Sequence, residues 1–128
     1  DKIELISGMP RDMAIPIVSK HWIFCQHSVT SFNGDQEGFA LSPAEAALLE
    51  MPIVSSIHNG IPEHVIHGET GLLAREWDIE GTAAYMLALA RNEEMRRKMG
   101  EAGRRRVSSL CSPVQRESEI NRVLDEDF

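Results

Sequence analysis

The sequence has little of what would staple a chain covalently or seat it in a bilayer. Two cysteines, Cys25 inside an apolar run and Cys111 near the end, make neither a disulfide framework nor a metal-binding spacing, and a reducing cytoplasm is the default. No long apolar stretch and no signal-peptide pattern occur, so the chain is expected neither to span a membrane nor to carry its own export address. Internal repeats and low-complexity segments are missing as well. An excess of cations is also lacking: 13 Lys and Arg against 20 Asp and Glu give a formal charge of -7, which argues against a nucleic-acid binder. The basic runs Arg96-Arg97-Lys98 and Arg104-Arg105-Arg106 lie among Glu93, Glu94 and Glu101, as on a solvated helix face. A peripheral membrane contact with anionic lipid, at the inner face, is the weaker reading of these runs. His58, His64 and His67 could bring two imidazoles onto one helical face, but no cysteine or aspartate completes a ligand set nearby, and no metal is expected.

What is present is an ordinary globular composition, 42% hydrophobic and 26% charged, in 128 residues: enough for one small domain with a core and too few for two. Ile3-Glu4-Leu5-Ile6-Ser7 alternates as a short strand does, ended by Gly8 and Pro10. A short helix is expected over 15–20, with Pro16 in its first turn. Trp22-Ile23-Phe24-Cys25 reads as a buried parallel strand, and the aperiodic stretch 27–35 as the loop after its carboxyl end, where open α/β sheets place ligands. Further on, a helix from Pro43 closed by Pro52, a strand over 53–57, and a helix from Pro62 stopped by Gly68 follow in turn. The last strand covers 70–74, with Gly71 serving tight packing. Asp78 caps a helix over 79–90 whose buried face is expected to be Ala83, Met86, Leu87 and Ala90, with Tyr85 also read as core. Asn92 caps another, with Met95 and Met99 inward, ending near Gly103, and Pro113 opens a last helix to about Leu124. The alternation of short apolar strands with helices gives an α/β fold: a Rossmann-like, mostly parallel sheet with helices on both faces. The domain is expected over 1–110, with a C-terminal helix and tail over 111–128.

The stretch from Asp35 to Glu45 stands out chemically. Ser42-Pro43-Ala44-Glu45 has the form of a capping box, with Ser at N-cap, Pro at the first helical position and Glu at N3. Just before it, Gly38, Phe39, Ala40 and Leu41 can present successive backbone amides beside the positive end of the helix dipole, a seat for a diphosphate. Glu37 overhangs that seat and Glu45 lies one turn inside the helix. Taken singly, Glu45 is better explained as the capping partner of Ser42 and Glu37 as a solvated loop acid.

The segment as a whole resembles the donor-binding half of the retaining GT-B glycosyltransferases of family four, of the exopolysaccharide type. The resemblance rests on Glu37-x7-Glu45 around Gly38-Phe39-Ala40-Leu41, on Met51-Pro52-Ile53-Val54-Ser55, on Asn59-Gly60-Ile61-Pro62-Glu63 and on Gly68-Glu69-Thr70-Gly71-Leu72-Leu73, in the family's order from about Ile3 to Val107. It implies a cytoplasmic hexosyltransferase that takes a UDP- or GDP-hexose, needs no metal or other cofactor, and passes the sugar to an acceptor glycan or lipid-linked sugar held by a missing N-terminal domain. Carried over by position, Glu37 would be catalytic, touching the donor sugar and stabilising charge at its anomeric carbon. Gly38, Phe39, Ala40 and Leu41 would line the sugar and diphosphate, and Glu45 would accept hydrogen bonds from the ribose hydroxyls.

Against the family's pattern, its phosphate-gripping Arg and Lys lie upstream of the matched region, and Ala40 and Glu50 each replace a usual glycine. The strands that would join residues 3–7 to residues 22–25 are missing from the pattern too. The chain is therefore expected to be the carboxy-terminal piece of a longer enzyme, inactive by itself. Two other readings stand beside this one: a non-catalytic α/β binding or scaffolding module, and a glycogen- or sucrose-synthase-like enzyme with the same glutamate pair.

Overall fold

Strands β1 (Phe24–Gln26), β2 (Ile53–Ser56) and β3 (Gly71–Ala74) pair in parallel in the order β1-β2-β3, with Phe24 opposite Ile53 and Val54 opposite Leu72. The structure, a computed structural model, describes residues 2–34, 41–114, 118 and 120–122. The central strand is buried on both sides, which is why Ile53-Val54 is a continuous apolar pair with no polar alternation. On one face Ile53 and Leu73 pack with Ala46 of α2 (Leu41–Leu48), with Ile61 of α3 (Ile61–His64) and with Val65. On the other, Val54 and Leu72 pack with Leu89 of α4 (Ile79–Ala90) and Met99 of α5 (Glu93–Leu110). Helices thus cover both faces of a parallel sheet, as the sequence pattern implies.

Residues 3–7 form no strand; Ile3 and Leu5 are almost fully exposed. Alternation supplies one apolar face but not the neighbouring backbone a strand needs, and among the described residues no strand lies beside them. The first helix, α1, runs Arg11–Val18, four residues earlier than expected, because the Pro10 carbonyl accepts from Met13 and Ala14 N–H (3.1 and 3.0 Å) and starts it there. Pro16 consequently sits near the helix's end, where only Ile17 and Val18 follow. The strand expected over 22–25 is displaced to Phe24–Gln26, and Trp22 is 65% exposed, its ring 4.3 Å beneath the Arg96 guanidinium. Arg96 also donates to the Leu89 and Ala90 carbonyls (2.7 and 2.9 Å), neutralising the open end of α4, so this member of the basic run belongs to a packed junction.

Helix α2 opens at Leu41, which puts Ser42 inside the first turn and not at the N-cap. Its far end is a Schellman turn: Met51 N–H donates to the Ala46 carbonyl and Glu50 N–H to the Ala47 carbonyl (3.1 and 3.0 Å). Glu50 occupies the left-handed position of that turn, φ 60°, where glycine carries no Cβ penalty and a side chain costs about 1 kcal/mol. Helix α3 stops at His64; Gly68 does not end it but, at φ 84°, donates its N–H to the Gly71 carbonyl and turns the chain into β3. A Cβ at Gly71 would lie 2.5 Å from the Ile53 carbonyl oxygen and 2.8 Å from Val65 Cγ1, so this glycine serves the close packing anticipated for it.

Asp78 and Asn92 cap α4 and α5 as read from the sequence, accepting from Gly81 N–H (2.8 Å) and Met95 N–H (3.0 Å). The buried side of α4 is not the expected one. Thr82 and Leu89 are buried and Tyr85 packs beside them, while Ala83, Met86, Leu87 and Ala90 face outward. This helix is apolar almost all round, so spacing alone does not fix its phase. Helix α5 does not end near Gly103. It continues to Leu110, and both Gly100 and Gly103 lie buried in it, against the turn after α2 and against Thr70 and Ala47. Beyond it, residues 113–114 and 120–122 are helical, with Val114 and Ile120 exposed.

Candidate functional site

Parallel strands bring all their carboxyl ends to one edge, and the loops leaving that edge are where the chain can hold a ligand. Here those loops are stitched by side chains. Ser55 Oγ donates to the Gln26 carbonyl (2.6 Å) and Ser56 Oγ to the Ser28 carbonyl, fixing the segment after β1 to β2. Glu76, just past β3, takes three donors on one carboxylate oxygen: Thr30 N–H (2.9 Å), Thr30 Oγ1 (3.2 Å) and His58 Nδ1. An ionised carboxylate can only accept, so Nδ1 carries the hydrogen. The His58 ring is buried, and its Nε2 has no hydrogen-bond partner. The His58 bond, then those from Thr30, hold the Glu76 carboxyl below its ordinary value.

His27 works beside this clamp. Its Nε2 accepts from Trp77 N–H (3.0 Å), which leaves Nδ1 to donate to Thr82 Oγ1 (3.0 Å), tying the β1 loop to the start of α4. Trp77 is held in the left-handed region at φ 68°, a costly conformation for a bulky residue, and its ring stacks on that of Phe32 with centroids 6.0 Å apart. Neither Glu76 nor His27 was legible as a site residue. Glu76 stands between Arg75 and Trp77 in a polar run that reads as a surface loop, and only its position after the last strand could have marked it.

A depressed pKa stabilises the fold above the unfolded value and ceases to do so as the pH falls through the folded one. Stability is therefore expected to drop as the pH is lowered below about 4.5, the ordinary value for this carboxyl. Denaturant melts of wild type and Glu76→Gln between pH 6 and pH 3 should converge at the acid end. A constant gap would show that the carboxylate's charge plays no part.

Of the donor-binding residues expected from the sequence, Glu37, Gly38, Phe39 and Ala40 lie outside the described residues. Leu41 is the first residue of α2, and Glu45 lies one turn inside that helix. The helix follows the β1 loop, so its amino end opens at the carboxyl edge of the sheet. Glu45 does not fold back on Ser42: the helix starts too early for that box, and the Arg11 guanidinium instead sits 2.6 Å from Glu45 Oε1, an ion pair with no hydrogen bond aligned on it. Together Arg11, Ser42, Glu45, Phe24 and neighbours on α1 and α2 line a cavity of about 160 Å³. Among the described residues, no group of three or more His, Cys, Asp or Glu is placed to hold a metal ion, and no helix is long and apolar enough to cross a membrane.

Residues 1–106 match the family model for glycosyl transferases group 1. The chain is 36% identical over 93 residues to the amylovoran biosynthesis glycosyltransferase AmsK of Erwinia amylovora, a match covering 73% of this chain and 23% of that one. It is 33% identical over 91 residues to the putative colanic acid biosynthesis glycosyltransferase WcaL of Salmonella typhimurium, covering 71% and 22%. In fold it is similar to sucrose-phosphate synthase from Thermosynechococcus elongatus, at TM-score 0.77 and 23% identity over 100% of this chain and 31% of that one. HepE of Anabaena, solved in complex with UDP-glucose, superposes at TM-score 0.70 and 20% identity over 88% and 30%. The chain thus spans about a quarter of the length of the curated relatives named here. With a family match over most of its length and the fold shared by these neighbours, the chain belongs to the glycosyl transferases group 1 family.

Proposed function

We propose that this chain is the nucleotide-sugar-binding part of a retaining hexosyltransferase that moves a hexose from a UDP- or GDP-sugar to a polysaccharide or lipid-linked acceptor. The observation that carries the proposal is the placement of Glu45: one turn inside a helix whose amide-bearing end opens at the carboxyl edge of the sheet, within a chain of the glycosyl transferases group 1 family. In this reading the α2 amides, from Leu41 on, receive the diphosphate, and their positive dipole end neutralises charge that grows on the leaving group as the glycosidic bond breaks. Glu45 accepts from the two ribose hydroxyls, and Gly38, Phe39 and Ala40 supply main-chain donors around the sugar. Glu37 faces the sugar and stabilises positive charge at the anomeric carbon. The acceptor and the remaining phosphate contacts belong to the rest of a longer enzyme, so the isolated chain binds donor without turning it over, at the cytoplasmic face where such donors are made.

One observation favours the plain scaffolding module: Glu45 already has a partner in Arg11. That partner is 70% exposed on its side, and an ion pair so open is worth at most about 1 kcal/mol, less than the two charge-assisted bonds a ribose diol offers. Ribose therefore displaces Arg11. Titration calorimetry of the chain with UDP-glucose and GDP-mannose tests the proposal: saturable binding to one of them, weakened about tenfold or more in Glu45→Ala, is expected. Silence toward both nucleotides would leave the scaffolding module standing.

A further inference from the structure

We infer that Glu76 is a positioning residue for the donor site: its carboxylate joins the loops after all three strands and so holds in place the edge of the sheet at which that site opens. The inference rests on the donor-binding reading above and goes beyond it, because that reading gives Glu76 no part.

The three donors on Glu76 Oε1 come from two loops and the acceptor from a third. Thr30 contributes its N–H and its hydroxyl from the loop after β1, His58 its Nδ1–H from the loop after β2, and Glu76 follows β3 directly. A charged carboxylate oxygen is the strongest acceptor for a backbone N–H, a hydroxyl and an imidazole N–H meeting at one point; a glutamine carbonyl there accepts more weakly. The consequence falls on the β1 loop, whose described residues run from Gln26 through Thr30 to Gly34, ahead of α2 in the chain. Anchoring it at Thr30 fixes residues 27–30 at the carboxyl edge before any ligand arrives, so less ordering of that edge is charged to binding. Ser28 and His27 hold the same loop nearer the strand, to β2 and α4, and the Phe32–Trp77 stack holds it further along.

A merely structural acid would lower the melting temperature and leave the affinity of the folded fraction alone. A positioning acid changes the affinity. UDP-glucose and GDP-mannose affinities of the 128-residue chain are compared by calorimetry at a temperature where each variant is folded, for wild type, Glu76→Ala, Glu76→Gln and Thr30→Val. Leu89→Ala, which loses packing at the opposite end of α4, serves as a control destabilised away from the loops. Glu76→Ala is expected to weaken binding of the preferred nucleotide about five- to tenfold, Glu76→Gln and Thr30→Val by about two- to threefold, and Leu89→Ala not at all. Should Glu76→Ala fail to fold, the Gln and Val variants carry the comparison. Unchanged affinity in the folded Glu76 variants overturns the positioning role while leaving the donor site intact. A wild-type chain that binds neither nucleotide brings down the donor reading itself, and the positioning role with it.

Discussion

Gly100→Ala is expected to destabilise the chain by about 2–3 kcal/mol, while Gly103→Ala, one turn along the same helix, is expected to stabilise it by up to about 1 kcal/mol. Both substitutions gain the same helix propensity, about 1 kcal/mol, so the difference between them reads packing alone. At Gly100 a Cβ would overlap the Glu50 carbonyl oxygen and stand 2.8 Å from its carbon, and neither backbone can give way without opening the Schellman turn that ends α2. At Gly103 the nearest atoms, the Thr70 carbonyl oxygen and the Ala47 Cβ, would lie at 3.6 and 3.7 Å, ordinary contact that adds dispersion. Thermal melts should show Gly100→Ala lower by about 10 °C and Gly103→Ala unchanged or higher. Equal stability of the two variants would mean that α5 does not rest against Glu50.

The second large effect lies in α4. Leu89→Ala is expected to cost about 3 kcal/mol, because Leu89 is fully buried between Val54, Leu72 and Met99 and its removal leaves a cavity the sheet cannot close. Leu87→Ala, two residues earlier on a side 53% exposed, should cost less than about 0.5 kcal/mol. Denaturant titration ranks them, and the reverse order would restore the helix face first expected from the sequence.

That contrast shows what was legible in the chain and why. Features written locally were readable: Asp78 and Asn92 as caps, Pro62 at the start of α3, the central strand, the close approach at Gly71, and an α/β fold with helices on both faces of a parallel sheet. Features set by a tertiary partner were not. The phase of α4 depends on which of several apolar residues meets the sheet, and Gly103 looks like a helix stop until the close approach of α5 to Thr70 and Ala47 is known. Residues 3–7 have a strand's pattern without a neighbour to pair with. Near α2, a helix after the β1 loop was readable from Pro43 and Glu45, but it already includes Leu41 and Ser42, and Arg11 as the partner of Glu45 could not be foreseen, since the two meet only when α1 packs on α2. Glu76 escaped for the same reason: its three donors come from two segments far away in sequence.

The central claim, that Glu45 grips the ribose of a nucleotide-sugar whose diphosphate rests on α2, is tested most directly by removing each side of that contact in turn. Affinities of the wild-type chain and Glu45→Ala are measured for the preferred nucleoside diphosphate and for its 2′,3′-dideoxy analogue. The wild type is expected to prefer the natural nucleotide by about tenfold or more, and Glu45→Ala to show no preference between the two. The same preference in both proteins, or none in the wild type, would contradict the account.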